Sequence, residues 1–132
     1  GAAHVINATE GKVAERVREI THGAGADVIY ELVATKETMA ACTQSIAKRG
    51  RLVFIGYSED SYTVHPIQLV ITEASVMGSV GNTLDELVRA VDLVARGKVQ
   101  TVVDRVLPLG EFQKGIEALS RGELIGRVVL KP

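Results

Sequence analysis

The sequence predicts an α/β protein built on a parallel β-sheet, and three observations support this fold class. Short runs of Val, Ile and Leu alternate with segments of helical spacing, which is the pattern of parallel strands joined by crossover helices. The 132 residues are 46% hydrophobic and 23% charged, as in a soluble globular protein with a core of its own. Residues 27–33 (DVIYELV) are nearly all apolar, as expected of a strand covered on both faces.

Further strands are predicted in the first half of the chain. Val5 and Ile6 indicate a short buried strand at its beginning. Two more buried strands are predicted at residues 51–57 (RLVFIGY) and 75–80 (SVMGSV). A central strand would not tolerate the Pro66 that lies between these two. We therefore predict an edge strand before this proline, followed by a short connection.

The first two helices are predicted from their spacing and their caps. The segment VAERVREIT, residues 13–21, has apolar residues on one face and charges on the other, and the small residues of HGAGAD end it. A second helix follows Thr35, whose hydroxyl can cap it. Its predicted inner residues are Met39, Cys42 and Ile46.

The last third of the chain has the clearest helix boundaries. Thr83 and Glu86 form a capping box that opens a helix, and Gly97 ends this helix. Its inner face is predicted to comprise Leu84, Leu87, Val88 and Val91. A strand (VVDRVLPL) and a helix ending at Gly122 follow, and a strand (GRVVLKP) closes the chain. The last helix is predicted to bury Phe112, Ile116 and Leu119.

Composition excludes several classes of partner. Fifteen basic and sixteen acidic residues leave the chain nearly neutral, and only 4% of residues are aromatic, so no nucleic acid partner is expected. No apolar run is long enough to span a membrane. Cys42 is the only cysteine, which rules out an intrachain disulfide and a thiolate metal cage and favours a reducing, cytoplasmic setting.

Candidate site residues follow the three clearest strands. Ligands of open parallel sheets bind beyond the carboxyl ends of the strands. Small residues stand at all three exits, in the segments Val33–Thr35, Gly56–Ser58 and Gly78–Gly81. They would let a flat ligand lie against the backbone, whose N–H and C=O groups it could bind. A cofactor fits this arrangement better than a bulky substrate.

Four segments in order resemble the C-terminal portion of a medium-chain, zinc-type alcohol dehydrogenase. They are DVIYELVATKET, KRGRLVFIGY, ITEASVMGSVGNTLDEL with ARGKV, and ALSRGELIGRVVLKP. The resemblance implies a partial Rossmann-like doubly wound sheet that lacks its first βαβ unit. It also implies that residues 1–100 are the C-terminal half of the dinucleotide-binding domain and that residues 101–132 are the returning segment of the catalytic domain.

The same resemblance implies a nicotinamide cofactor, NAD or NADP, and a set of residues that would meet it. Ala34 departs from the glycine that the family commonly carries at its position. Arg127 would reach the pyrophosphate through bidentate hydrogen bonds. The residues implied at the ribose and the ring are Leu32, Val33, Ile55, Gly56, Tyr57, Ser79, Val80 and Gly81.

Other parts of the family's machinery are not expected in this chain. The cluster GAGAD precedes a strand instead of following one, so it is not the glycine-rich turn that binds pyrophosphate. His4, His22 and His65 lack metal-ligand spacing, and the zinc ligands are expected upstream. We predict no catalytic and no metal-binding residue here. Asp27 and Glu31 lie too far apart along a strand for an acid/base dyad, and Cys42 is expected to be an unreactive core residue.

Three functions remain open. The chain is expected to be a fragment of a zinc-type NAD(P)-dependent alcohol dehydrogenase, which supplies the nicotinamide side of the cofactor pocket and is inactive alone. The first alternative is a zinc-free quinone or enoyl reductase of the same superfamily. The second is a non-catalytic remnant that self-associates. The resemblance implies a homodimer, or a larger assembly, formed through an edge strand at residues 61–65 (Ser61 to His65).

Overall fold

The computed structural model describes all residues from Gly1 to Pro132 and divides them into two compact units, Gly1–Gly81 and Asn82–Pro132. Each unit combines helices with a parallel sheet. The α/β, parallel fold class predicted from the sequence is therefore confirmed. None of the helices has the length and apolar character of a membrane-spanning segment.

The first unit is a three-stranded parallel sheet with its connecting helices. The strands β1 (Ala26–Glu31), β2 (Ile46–Phe54) and β3 (Ser75–Gly78) pair in the same order as they occur in the chain, and both pairs are parallel. A helix joins β1 to β2 and another joins β2 to β3, because a parallel neighbour must be reached by a crossover. The elements are α1 (Val13–Ile20), β1 (Ala26–Glu31), α2 (Lys36–Ser45), β2 (Ile46–Phe54), α3 (Pro66–Thr72) and β3 (Ser75–Gly78).

The core of this unit lies around the central strand β2. Leu52 is only 1% exposed and is the largest fully buried side chain. Met39 on α2 is buried with it, as are Ile46 and Ala47 at the start of β2. Thr35 caps α2 through a hydrogen bond from the Thr38 amide, which confirms the predicted start of this helix.

The second unit pairs two parallel strands and has two helices. Its elements are α4 (Leu84–Ala95), β4 (Val103–Pro108), α5 (Phe112–Ser120) and β5 (Arg127–Lys131). The Thr83–Glu86 capping box is present, and Gly97 and Gly122 end the two helices with positive φ values of 67° and 66°. These predicted boundaries are confirmed.

Two predicted strands are absent. Val5 and Ile6 lie in an irregular segment, and the Val5 side chain is 90% exposed because no neighbouring strand pairs with it. Residues 61–65 (SYTVH) are also irregular, so the predicted edge strand is wrong. Pro66 instead occupies the first turn of α3, where its missing N–H costs no hydrogen bond.

Several faces that the sequence predicts to be buried are exposed, so these predictions are also wrong. In the first unit, β1 and β3 leave Tyr30, Val76 and Met77 exposed, so neither strand is covered on both faces. In α4 the apolar stripe of Leu84, Leu87, Val88 and Val91 is exposed. In α5 the buried residues are Gly115 and Ala118, because the Gly115 backbone approaches Val128 and Leu107 closely, while Phe112, Ile116 and Leu119 are exposed.

The two compact units of this chain do not coincide with the two domains of the parent enzyme that the resemblance implies. The boundary between the units lies between residues 81 and 82, whereas the resemblance implies a domain boundary between residues 100 and 101. The first unit contains all three strands that carry the candidate site. The attribution of each part of the chain to a domain of the parent enzyme stays a prediction.

Candidate functional site

The three small-residue strand exits lie at one edge of the first unit's sheet. Glu31 on β1 is in register with Phe54 on β2, and Phe54 is in register with Gly78 on β3. All three strands are parallel and end at these positions or next to them. We call the residues that follow them the β1 tip (Leu32–Thr35), the β2 tip (Ile55–Ser58) and the β3 tip (Ser79–Gly81).

Backbone hydrogen bonds continue across this edge and hold the tips together. The Glu31 carbonyl accepts hydrogen bonds from the amides of Ile55 and Gly56, both at 2.9 Å. The Ser79 amide donates to the Phe54 carbonyl at 2.9 Å. The hydrogen bonding of the β1–β2 and β2–β3 pairs therefore continues one residue beyond the strands. It fixes the register of each tip relative to its neighbour.

A cavity of about 410 Å³ opens beside the β2 and β3 tips. It has the size of a small-molecule site, since such sites typically measure roughly 300–1,000 Å³. Its wall combines small residues, among them Gly56 and Gly78, with large apolar and aromatic side chains such as Phe54 and Tyr62, and Asp60 adds a carboxylate. The lining residues are Ala34, Met39, Phe54, Gly56, Tyr57, Ser58, Asp60, Tyr62, Val76, Met77 and Gly78.

The two glycines at this edge have different surroundings. A Cβ on Gly56 would overlap the backbone carbonyl of Leu32, so glycine is required for the β1 and β2 tips to approach each other. No atom lies within 4 Å of the position that a Cβ on Gly78 would occupy. The β2 tip is thus closely packed, whereas the β3 tip faces open space.

Glu31 is the functional candidate that the sequence analysis did not find. Its residue is only 4% exposed, although it carries a carboxyl group. One carboxylate oxygen accepts the Val33 amide at 3.2 Å, and the other accepts the Ala34 amide. The only signal in the sequence was an acidic residue at the end of an otherwise apolar strand, and spacing alone does not show whether such a residue is buried.

Two polar residues, Ser58 at the end of the β2 tip and Asp60 just after it, complete this edge. The Ser58 hydroxyl donates to the Ala34 carbonyl and accepts the Asp60 amide at 3.0 Å. An Asp60 carboxylate oxygen accepts the Lys36 amide at 3.0 Å, at the first turn of α2. Asp60 therefore satisfies a free donor of this helix N-terminus, where a negative charge is also favoured by the helix dipole.

The structure places eight of the nine predicted cofactor residues at this single edge. Tyr57 and Val80 are 93% and 97% exposed, so both side chains are free to meet a ligand. Arg127 begins β5 in the second unit, where its amide donates to the Val102 carbonyl at 2.9 Å. The eight residues at the edge are Leu32, Val33, Ile55, Gly56, Tyr57, Ser79, Val80 and Gly81; their contact with a cofactor stays a prediction.

The remaining titratable groups do not assemble a second reactive centre. No group of three or more His, Cys, Asp or Glu side chains comes together that could hold a metal ion. Burial, together with the nearby Glu31 carboxylate, raises the pKa of Cys42 to about 11. The Cys42 thiol is therefore protonated at neutral pH, as expected of an unreactive cysteine, but the residue is half-buried and does not belong to the core as predicted.

A parallel α/β unit whose small-residue strand ends open on one crevice has the Rossmann-like architecture of dinucleotide-binding proteins. The family model described as zinc-binding dehydrogenase matches residues 1–130. The chain belongs to this family of medium-chain dehydrogenases, and the resemblance read from its sequence is confirmed.

Individual relatives carry dehydrogenase names. A NAD-dependent alcohol dehydrogenase of Sulfurisphaera tokodaii is 29% identical over 132 residues, which are 100% of this chain and 38% of the relative. A D-arabinose 1-dehydrogenase (NADP(+)) of Saccharolobus solfataricus is 27% identical over 116 residues, 88% of this chain and 33% of the relative.

Solved structures have the same fold over the whole chain. The crystal structure of the alcohol dehydrogenase from the hyperthermophilic archaeon Aeropyrum pernix superimposes with a TM-score of 0.92 at 33% identity. That match covers 100% of this chain and 38% of the crystallised one. The chain thus spans well under half the length of the dehydrogenases that it resembles.

Proposed function

We propose that this chain is part of an NAD(P)-dependent alcohol dehydrogenase and that its three strand tips form one wall of the nicotinamide pocket. The observation that carries this proposal is the register of Glu31, Phe54 and Gly78, which brings three small-residue tips to one edge beside a cavity of about 410 Å³. The alcohol dehydrogenase names of the relatives support the activity of the parent enzyme.

The residues at the ends of the three strands fit a flat heterocycle such as a nicotinamide ring. Open space above Gly78 admits a ring against the end of β3, and the exposed side chains of Tyr57 and Met77 line the same cavity. A bound nicotinamide cofactor supplies the group that accepts or gives up a hydride. The tips would orient the ring and keep water from one of its faces. Val80 and Gly81 are the residues of this chain whose backbone would meet the carboxamide.

The residues present do not fit a zinc site, because they include no ligand cluster. We therefore derive no step through zinc, and we propose that any zinc of the parent enzyme is bound by residues outside this chain. The names of the relatives favour the alcohol dehydrogenase branch over the zinc-free quinone or enoyl reductase branch. A cytoplasmic location belongs to the same proposal.

Nuclear magnetic resonance of the ¹⁵N-labelled chain, titrated with nicotinamide mononucleotide and separately with AMP, tests the pocket. We expect millimolar nicotinamide mononucleotide to shift the amide signals of the three tips, and we expect AMP to leave those of the β3 tip unchanged. Shifts confined to residues outside the tips, or no shifts at all, would contradict the proposal.

A pair of variants sharpens this test. Gly78→Val places a branched side chain in the open space of the pocket and should abolish the shifts at the β3 tip. Gly110→Val is the matched control, because a Cβ at Gly110 also meets no atom within 4 Å but lies in the second unit. An equal loss of response in both variants would show that the effect does not come from the pocket.

The chain alone is predicted to be inactive, because it contains no residue that we assign to proton transfer or to metal binding. An assay with NAD or NADP, zinc and a panel of primary and secondary alcohols measures this directly. Turnover above that of a heat-denatured sample would show that the 132 residues hold a complete catalytic site.

A further inference from the structure

We infer that Glu31 is a positioning residue, whose buried carboxylate holds the β1 tip in the shape that the nicotinamide pocket requires. This inference rests on the proposed function for the identity of the ligand. We call the two hydrogen bonds from the Val33 and Ala34 amides to the Glu31 carboxylate the tether. All its atoms lie in the first unit, and its effect can be measured without a ligand.

The carboxylate of Glu31 forms a closed local structure with the residues that follow it. Its two oxygens accept the amides of Val33 and Ala34, so the chain turns back over the end of β1. The residue is 4% exposed, and water has little access to compete for these bonds. Hydrogen bonds from backbone amides to a carboxylate are stronger than those between neutral groups.

Glu31 also joins the β1 tip to the β2 tip. While its side chain binds the Val33 and Ala34 amides of the β1 tip, its backbone carbonyl accepts the amides of Ile55 and Gly56 at 2.9 Å each. Four backbone donors from two tips therefore end on one residue. A ligand in the crevice would find these four donors already occupied, and the positions of both tips depend on Glu31.

The conformation of Ala34 explains why such a tether is needed. Ala34 has a φ of 62°, in the left-handed region where a Cβ is unfavourable and glycine is preferred. The Ala34 amide is one of the two donors that the Glu31 carboxylate binds. The tether therefore offsets the backbone strain of an alanine at the point where the chain leaves the site.

The variant Glu31→Gln tests the tether with minimal change in volume. A glutamine side chain has one acceptor oxygen and one NH₂ donor, so it satisfies only one of the two amides. Hydrogen exchange of the full chain should show about tenfold faster exchange at Val33 or Ala34, as expected when one buried donor loses its partner. Exchange at Leu52, in the core strand, should stay within about twofold of its original rate.

The exposed Glu37 supplies a matched control, because Glu37→Gln makes the same chemical change on the surface of α2. It should leave exchange at both tip amides unchanged. Unaltered exchange at Val33 and Ala34 in Glu31→Gln would overturn the inference. Equally faster exchange at Leu52 would also overturn it, since Glu31 would then only contribute to global stability.

A second pair of variants keeps the test informative if Glu31→Gln is poorly folded. In an Ala34→Gly background the strain that the tether offsets is removed, so Glu31→Gln should accelerate exchange at Val33 less than it does with alanine present. An effect of equal size in both backgrounds would contradict the coupling between Glu31 and Ala34.

The functional part is measured with nicotinamide mononucleotide, followed by the amide signals of the three tips. Glu31→Gln should weaken binding of nicotinamide mononucleotide by about tenfold, as expected for the loss of one charge-assisted hydrogen bond that shapes the site, whereas Glu37→Gln should change it by less than about twofold. Unchanged affinity for nicotinamide mononucleotide together with faster tip exchange would overturn the positioning role. Absence of any response to nicotinamide mononucleotide in the unaltered chain would contradict the proposed function, and the exchange data would still decide whether the tether exists.

Discussion

Ala34 is the residue at which the backbone of the candidate site is most clearly strained. Its φ of 62° costs an alanine about 1 kcal/mol relative to glycine. We expect Ala34→Gly to raise the free energy of unfolding by about this amount, measured by urea denaturation followed by circular dichroism. Ala40→Gly in α2 should have the opposite effect, because glycine destabilises a helix interior. A lower urea midpoint for Ala34→Gly would contradict this explanation.

At Gly56 we predict the converse, that replacing the glycine by alanine destabilises the chain. A methyl group there would overlap the Leu32 backbone, which cannot move without breaking the hydrogen bonds between the β1 and β2 tips. Gly56→Ala should lower the free energy of unfolding by about 2 kcal/mol or more. Gly78→Ala, which meets open space, should change it by less than about 0.5 kcal/mol. Comparable urea midpoints for the two variants would show that the tips can separate freely.

Cys42 gives a prediction about pH. Its pKa is raised from 9.0 to about 11, first by burial and then by the Glu31 carboxylate, so the folded state retains a proton that the unfolded state releases. The stabilisation from the neutral thiol is therefore fully present below pH 9 and is lost as pH rises towards 11. Urea unfolding across this alkaline range should show a decline that Cys42→Ala reduces.

Labelling with a thiol reagent at neutral pH should likewise be much slower for Cys42 in the folded chain than in urea. Equal rates in the two conditions would contradict the burial of the thiol.

The sequence predicts the location of those site residues whose place in the fold follows from their position relative to a strand. Residues that leave a strand were correctly located at one edge, since parallel strands end on the same side. Glu31 was missed because its importance depends on burial and on two amides that only the folded turn brings to it. Asp60 was missed for a similar reason, since its partner Lys36 lies 24 positions away.

At the level of the elements, the best-defined feature is the N-terminal cap of α4. The Thr83 hydroxyl accepts the Glu86 amide at 3.3 Å, while the Glu86 carboxylate accepts the Thr83 amide at 2.7 Å. Thr83→Ala should cost about 1 kcal/mol of helix stability, seen as a loss of helical circular dichroism under mild denaturant. Thr101→Ala, in the irregular segment before β4, is the control and should have no such effect.

The same cap should depend on acidity. The Thr83 amide and hydroxyl lower the pKa of Glu86 below its ordinary value, so the capped helix is favoured when the carboxylate is ionised. This stabilisation is present above the unfolded pKa and is lost as pH falls through the folded pKa. The helical signal should therefore decline on acidification, and Glu86→Gln should reduce this dependence. If the helical signal of Glu86→Gln declined on acidification as much as that of the unaltered chain, the decline would come from other carboxylates and not from Glu86.

The elements that were predicted correctly are those determined by neighbours in the chain. Capping boxes and glycine stops involve residues a few positions apart, so their pattern is visible in the sequence. The strand expected at residues 61–65 is absent because Pro66, which indicated an edge strand in place of a central one, begins α3 instead. The buried stripes of α4 and α5 failed because burial depends on what packs against a helix, and spacing shows only which side is apolar.

For the whole chain, the balance of buried and exposed apolar residues is unusual. Only six apolar residues are buried, while thirty large hydrophobic side chains are exposed, which is far more than scattered surface residues explain. We therefore expect the chain to self-associate at micromolar concentration, with apparent mass rising in a concentration series of sedimentation-velocity runs. A single species of 14.1 kDa throughout would contradict this expectation.

The predicted route of self-association needs revision even though self-association itself stays a prediction. Residues 61–65 do not form the strand through which pairing was expected. The two edges of the sheet are β1 and β3. The sequence could not show this, because which strand ends a sheet is decided by pairing between distant segments.

The order of the strands has a consequence for biosynthesis. β2 pairs with β1 and β3 pairs with β2, so each pair can form as soon as the ribosome has released its second strand. No strand must wait for a later segment to be inserted between two earlier ones. The crevice edge can thus grow progressively on the nascent chain, one crossover at a time, as N-terminal parts fold before synthesis ends.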